Sequence, residues 1–360
     1  MTTLFGKRRR ELLAGLVSAK LDGLLITRPA NWYYLTGFTG EAGALLATRQ
    51  GTALVTDGRF IVQARQETAG VRIVAHSGGL LESAGKWLVE QRVRKVGFDA
   101  QQIAVAQFNA LRKATGSRVA WIAAPGIPEG LRTRKDPSET AQMRKAAILA
   151  SEVVASAAKL LKPGVREFEI AAEIEYQMRQ RGASGPAFET IVASGKRAAL
   201  PHARPTSKRL RKNELVVLDL GVILGHYCSD ITRTFYLGQA PGRIRQWYRA
   251  VQEAQAAAIA AIKVGVGCGE VDAAARQVLA GYRLDRYFVH STGHGLGLEV
   301  HEDPRVAKGQ SRRLESGNVV TIEPGVYVDG VGGIRIEDDV AVHVDRTEVL
   351  TRFTRDLIEI

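Results

Sequence analysis

At 360 residues the chain is long enough for two domains, and its 45% hydrophobic content excludes a disordered or fibrous protein. No apolar run approaches the ~20 residues needed to span a bilayer, and two cysteines, Cys228 and Cys268, are too few for a disulfide framework. The 50 Lys and Arg against 37 Asp and Glu give a net charge of +13, but no nucleic-acid-binding motif accompanies the basic clusters at 204–212 and 243–249, so nucleic acid is not an expected partner.

The basic start Lys7-Arg8-Arg9-Arg10 is followed too closely by Glu11 and Lys20 for a signal-peptide core, and reads as the first helix of a cytoplasmic protein. Apolar runs at 21–26, 43–48 and 52–56 predict strands, the last two joined by a turn at Gln50-Gly51. A helix is expected over 60–68, a strand over 71–75, a helix over 80–92, a strand over 95–98, a helix over 104–114 and a strand over 119–123. This alternation describes an α/β domain. We place it at residues 1–127; its only histidine is His76. The aromatic segment Trp32-Tyr33-Tyr34-Leu35-Thr36-Gly37-Phe38 reads as core of that domain.

Breakers at 124–130 mark a linker. Asp136 then caps a helix with Pro137 at its first position, opening a domain at 128–360. That domain is duplicated. Leu161-Lys162-Pro163-Gly164-Val165, with Glu169-Ile170 after it, returns as Ile262-Lys263-Val264-Gly265-Val266 with Glu270-Val271, an offset of 101 (161 to 262). Each copy follows an alanine-rich helix and precedes a second helix. Pro201-His202 then matches Val300-His301, and Val216-Val217-Leu218-Asp219 matches Val319-Val320-Thr321-Ile322-Glu323, at an offset of 104 (219 to 323). Two αα-ββ halves related by a pseudo-twofold would each supply carboxylates and a histidine to one central site. The fold class is α+β. The glycine-rich Gly265-Val266-Gly267-Cys268-Gly269 is explained by the repeat as a helix connection.

Four carboxylates end or flank β-branched runs that read as buried strands: Asp219, Asp230, Glu323 and Glu337. A buried carboxylate is costly without a compensating cation or donor. Together with His294 they form a candidate ligand set whose roughly four negative charges balance two divalent ions. Paired ions can lower the pKa of a water and polarise a carbonyl. Oxygen-rich ligation with one imidazole favours manganese, with cobalt or zinc as alternatives and iron left open. His202, His290 and His301 remain to orient substrate, hold an oxyanion or manage protons.

Taken together, Pro201-His202, Leu218-Asp219-Leu220-Gly221, Ser229-Asp230-Ile231-Thr232-Arg233-Thr234, Gly293-His294-Gly295-Leu296-Gly297, Ile322-Glu323-Pro324-Gly325-Val326-Tyr327 and Arg335-Ile336-Glu337-Asp338 resemble the pita-bread metallopeptidases of the Xaa-Pro aminopeptidase and prolidase group. The resemblance covers nearly the full length and implies a creatinase-like N-terminal domain before a pita-bread catalytic domain. It implies that Asp219 and Asp230 chelate or bridge two divalent ions, that His294 and Glu323 complete the sites, and that Glu337 bridges. It places His202, His290 and His301 around the substrate and Arg335 behind the metal carboxylates. Glu323 is then the proton acceptor and shuttle, and His290 or His301 stabilises the oxyanion. Proline-containing peptides are the implied substrates, and a homodimer is the implied assembly.

Arg305 reads as a substrate-carboxylate ligand or a surface ion pair, and Tyr327 as pocket lining or core. Asp338 and Asp339 read as structural carboxylates at a strand end. An Xaa-Pro aminopeptidase is favoured over an Xaa-Pro dipeptidase, with no decisive residue. The rivals are a non-catalytic pita-bread binding protein and a creatinase-like amidinohydrolase, neither of which needs the five ligands.

Overall fold

The computed structural model describes residues 4–76 and 78–360. It forms two compact units, Met1–Arg132 and Thr133–Ile360. Among the described residues no helix is long and apolar enough to cross a membrane.

The first unit runs α1 (Leu4–Ser18), β1 (Gly23–Ile26), α2 (Pro29–Thr36), β2 (Ala44–Thr48), β3 (Gly51–Thr56), α3 (Ile61–Glu67), β4 (Arg72–Ala75), α4 (Leu80–Glu90), β5 (Lys95–Phe98), α5 (Val105–Thr115), β6 (Ala120–Ala123) and α6 (Ile127–Arg132). Its six strands form one sheet in the order β4-β3-β2-β1-β5-β6. The core under it holds Leu25, Leu46, Val55, Leu88, Val96 and Leu111. Periodicity did not show α2, whose Trp32, Tyr34 and Leu35 are all buried. The unit does not end in the breaker-rich linker. Arg132 at the end of α6 donates to Asn31 Oδ1 at 2.6 Å, and Leu131 O accepts from the Tyr34 hydroxyl at 3.3 Å. These bonds carry α6 into the first unit, so the division falls after Arg132.

The second unit opens with α7 (Pro137–Ala158), one 22-residue helix that absorbs two segments read separately from sequence. Asp136 Oδ1 accepts the N–H groups of Ser138 at 2.8 Å and Glu139 at 3.0 Å, while Glu139 Oε2 accepts the Asp136 N–H at 3.0 Å; this reciprocal cap fixes the start. Then follow α8 (Glu167–Gln180), β7 (Gly185–Pro186), β8 (Ile191–Ser194), β9 (Glu214–Leu220), β10 (Val222–Leu224), β11 (Tyr227–Cys228) and β12 (Ile231–Leu237). The second half begins with α9 (Gly242–Ala261) and α10 (Cys268–Gly281). It continues through β13 (Gly293–Gly295), β14 (Glu302–Val306), β15 (Val319–Ile322), β16 (Gly325–Val328), β17 (Gly332–Arg335) and β18 (Asp338–Val342).

The duplication is visible in contacts as well as in sequence. Gly164 N–H donates to Leu210 O and Gly265 N–H to Leu314 O, both at 2.8 Å; Leu210 and Leu314 return bonds to Val165 O and Val266 O, again at 2.8 Å. Arg209 Nη1 donates to Gly164 O at 2.6 Å, and Arg313 Nη1 to Gly265 O at 2.5 Å. Gly164 has φ +97° and Gly265 φ +88°. Side chains rarely adopt that backbone, which is why both copies keep glycine. In one half β9 lies between β8 and β12; in the other β15 lies between β13 and β18.

Candidate metal centre

Asp219 sits on β9 in register with Ile191 on one side and Thr232 on the other. Asp230 immediately precedes β12. His294 is the middle residue of β13, where a Cβ at Gly293 would collide with Thr321 O and one at Gly295 with Asp303 O. The flanking glycines are therefore what lets this histidine strand lie against its neighbours. Glu323 follows β15, its N–H donating to Thr292 O at 2.8 Å. In the sequence Glu337 ends the run Gly333-Ile334-Arg335-Ile336, which reads as one buried strand. It lies instead between β17 and β18, where the chain changes partner from β16 to β15. Its N–H donates to Thr232 O at 3.1 Å.

These five side chains share one cleft of about 390 Å³ with His202 and His301. Asp230, His294 and Glu337 each present a ligand atom within 4.8 Å of the others. His294 Nε2 is 3.5 Å from Glu323 Oε1 and 3.9 Å from Asp230 Oδ2. The imidazole tautomer is set by its other nitrogen. Nδ1 faces Gly295 O at 3.0 Å, so Nδ1 carries the proton and Nε2 offers its lone pair to the acids. Asp219 Oδ1 and Asp230 Oδ1 are buried with no hydrogen-bond partner. Orphaned carboxylate oxygens beside a bare imidazole nitrogen are the donor set of a divalent cation, and the residues fit one.

The electrostatics agree. Burial, reinforced by Glu337, Asp219, Asp339 and Glu323, raises the Asp230 carboxyl well above the usual carboxylate range. Burial and then Glu323 and Asp219 do the same to Glu337. Burial lifts Glu323 to about 8, against the pull of Arg335. The imidazoles move the other way: burial lowers His294 to about 4 and also lowers His301. Acids that repel one another and neutral imidazoles together favour positive charge placed among them.

Arg335 supports this cluster from within the protein. Its Nη2 donates to Asp219 Oδ2 at 2.5 Å, its Nη1 to the Tyr327 hydroxyl at 2.6 Å and its Nε to Thr232 Oγ1 at 3.0 Å. The Thr232 hydroxyl passes a bond on to Glu337 Oε2 at 2.5 Å. One guanidinium thus steers a carboxylate from each half. The Tyr327 hydroxyl donates to His290 Nε2 at 2.8 Å, because His290 Nδ1 is committed to Ser291 O at 2.8 Å. Burial and then Arg335 lower His290 to about 4. Asp339 Oδ2 accepts the Asp230 N–H at 3.0 Å. Asp338 is satisfied by Arg233 at 2.7 Å and by Arg355, Thr351 and Gln255 at 2.5 Å each.

Not every residue singled out from sequence meets the cleft. Asp219, Asp230, His294, Glu323, Glu337, His202 and His301 line it. His290, Tyr327 and Arg335 form a linked group outside the lining. Arg305 is exposed on β14 and is not part of the lining. Sequence reasoning missed Thr232, whose bonds to Arg335 and Glu337 join residues about a hundred positions apart. It also missed Glu189, Ile191 and Arg204, which line the cleft. No signal in the sequence pointed to Ile191, which the structure sets opposite Asp219 on the neighbouring strand β8.

A duplicated frame that gathers acids from both halves around one imidazole defines a metal-dependent hydrolase. Residues 141–343 match metallopeptidase family M24, and residues 8–133 match the creatinase/prolidase N-terminal domain. A Bacillus subtilis protein named as the peptidase YqhT is 37% identical over 338 residues, 94% of this chain and 96% of that one. The structure of an Xaa-Pro dipeptidase from Bacillus anthracis superposes with a TM-score of 0.96 at 36% identity, covering 99% of this chain and 100% of that one. An X-Pro aminopeptidase from Thermotoga maritima gives 0.89 at 32% identity, covering 98% and 100%. The chain belongs to metallopeptidase family M24: a creatinase-like N-terminal domain followed in sequence by a pita-bread catalytic domain.

Proposed function

We propose that this metallopeptidase is an exopeptidase for Xaa-Pro bonds, that Asp219, Asp230, His294, Glu323 and Glu337 hold two divalent ions, manganese first, and that dipeptides are its main substrates. The observation that carries the proposal is the convergence of Asp230, His294 and Glu337 ligand atoms within 4.8 Å, with Asp219 and Glu323 in the same cleft. The sequence alone leaned towards the aminopeptidase. The dipeptidase comes first here because the Bacillus anthracis structure, at a TM-score of 0.96, carries that name. The Thermotoga maritima X-Pro aminopeptidase keeps removal of one residue from longer peptides as the second reading. A homodimer belongs to the same proposal and is checked by sedimentation.

A bond before proline has no N–H, so an enzyme cannot hold it by that donor. Phe188, Ile191, Ala203 and Val300 give the cleft an apolar wall for a pyrrolidine ring. Bound divalent ions would polarise the scissile carbonyl and lower the pKa of water. Glu323 is placed to take a proton from the attacking water on a carboxylate oxygen and deliver it to the proline nitrogen. His301 and His202, both exposed in the cleft, are placed to donate hydrogen bonds to the developing oxyanion and the substrate carbonyls. His290, with Nε2 occupied by Tyr327, acts instead by orienting the Tyr327–Arg335–Asp219 chain. The free amino group of the substrate faces the acids, which favours cleavage at the N-terminus.

The test is hydrolysis of Ala-Pro, Ala-Pro-Ala and Ala-Ala with manganese, before and after chelation. Cleavage of the proline substrates alone, abolished by chelator, is expected. Cleavage that persists without metal, or equal turnover of Ala-Ala, would overturn the proposal.

A further inference from the structure

We propose that the buried ion pair between Lys135 and Glu302 positions His301 in the cleft, by fixing the loop 296–301 that leads from the metal strand β13 to β14. The pair acts through His301 and touches no substrate. This rests on the role given to His301 above.

The pair is built into the underside of that loop. Lys135 Nζ donates to Glu302 Oε2 at 3.0 Å, and the two side chains are 1% and 5% exposed. Glu302 Oε1 accepts the Glu299 N–H at 3.2 Å, so the carboxylate reaches back into the loop it closes. The loop backbone lies directly on the pair. A Cβ at Gly297 would stand 2.8 and 2.9 Å from the two Glu302 oxygens and 2.9 Å from Lys135 Cε, and this close approach requires the glycine. The start of α7 holds the same loop a second time. Glu139 Oε1 accepts from the Tyr227 hydroxyl at 2.9 Å, and the next residue, Cys228, donates its N–H to Gly297 O at 2.7 Å. Lys135 is itself anchored, its N–H donating to Gly317 O at 2.7 Å.

His301 immediately precedes Glu302, and Glu302 pairs with Gly295 across β13 and β14. The two ends of the loop thus meet at His294 and His301, whose rings stand edge to face with centroids 4.4 Å apart. His294 is the candidate metal ligand and His301 lines the cleft, so the loop sets how far a hydrogen-bond donor stands from the metal. Stability does not account for the pair. Burying two charges costs about as much as their attraction returns, and an apolar pair of similar volume serves a fold as well. What the ammonium and carboxylate add is a short, directional bond that admits one spacing between the start of α7 and the loop. A misplacement of about 1 Å at a reacting centre can lower a rate about 100-fold.

The experiment is a double-mutant cycle on the manganese-loaded enzyme with Ala-Pro as substrate: wild type, Lys135→Met, His301→Ala and the two combined, with manganese affinity measured on each by calorimetry. His301→Ala should lower kcat about 100-fold, and Lys135→Met about tenfold with manganese affinity unchanged. The combined variant should be no slower than His301→Ala alone, because the pair has nothing left to position. Lys135→Met with Glu302→Met removes both charges and keeps an apolar filling. It should fold and show the same dependence on His301, and it carries the test where Lys135→Met alone does not fold. A combined variant about 1,000-fold below wild type, the product of independent losses, overturns the proposal. So do wild-type kcat in Lys135→Met, a loss of its manganese affinity, or failure of both pair variants to fold; each of these leaves the Xaa-Pro reading standing. Wild-type kcat in His301→Ala overturns the role of His301 and this inference with it. A wild-type enzyme that does not cleave Ala-Pro overturns the Xaa-Pro reading as well.

Discussion

His294 shows how much chemistry one hydrogen bond decides. Gly295 O accepts a hydrogen bond from Nδ1–H, and the lone pair of Nε2 is left facing Asp230 and Glu323. Among the acids, Asp230 bears the most direct test. Asp230→Asn keeps the shape and removes a ligand charge, and we expect metal affinity to fall about 100-fold or more and activity with it, measured by calorimetry and Ala-Pro turnover. The metal-free variant should melt higher than metal-free wild type at pH 8, because a buried, repelled carboxylate is gone. Arg335→Lys should lower kcat about 10- to 100-fold, since an ammonium cannot hold Asp219, Tyr327 and Thr232 together. The acids of the proposed ligand set were legible in the sequence as carboxylates ending or flanking β-branched runs, and the structure brings them into one cleft. The Arg335–Thr232–Glu337 chain was not, because it joins residues that only the fold brings together.

At the level of elements, the duplication was legible because backbone geometry demands it. Gly164 and Gly265 recur in both copies at φ +97° and +88°, and a nearby carbonyl pairing fixes each. Gly164→Ala and Gly265→Ala should each destabilise the protein by about 1–2 kcal/mol, read as a lower urea midpoint at unchanged slope. Less was legible where the chain changes partners. Residues 333–337 alternate as one strand, yet β17 pairs with β16 and β18 with β15. Periodicity reports which face a residue takes, not which strand lies beside it. That change of partner is what frees Glu337 to face the cleft. In the first unit α2 was missed because its aromatic residues are buried on more than one face, which erases the helical pattern.

For the whole molecule, stability should depend on pH and metal in a linked way. Glu323 has its pKa raised from 4.5 to about 8. Between those values the folded metal-free protein holds a proton that the unfolded chain does not. Unfolding releases it, so this group's contribution to stability is present at acid pH and is lost as pH rises towards 8. Bound cation should remove that loss, which thermal melts from pH 5 to 8 with and without manganese would show. Glu348 behaves oppositely. Its hydrogen bond from Arg144, then that from His343, hold it down at about 2 against 4.5 unfolded. Its contribution is full above pH 4.5 and is lost as pH falls towards 2, so Glu348→Gln should flatten the acid limb of the melting curve.

Metal stoichiometry and activity on one sample test the central claim most directly. Chelated protein titrated with manganese in a calorimeter, with Ala-Pro hydrolysis followed at each step, should bind two ions per chain and gain turnover only as they bind. Rapid hydrolysis before any manganese is added, or saturation with no ions taken up by the cleft residues, would contradict the account.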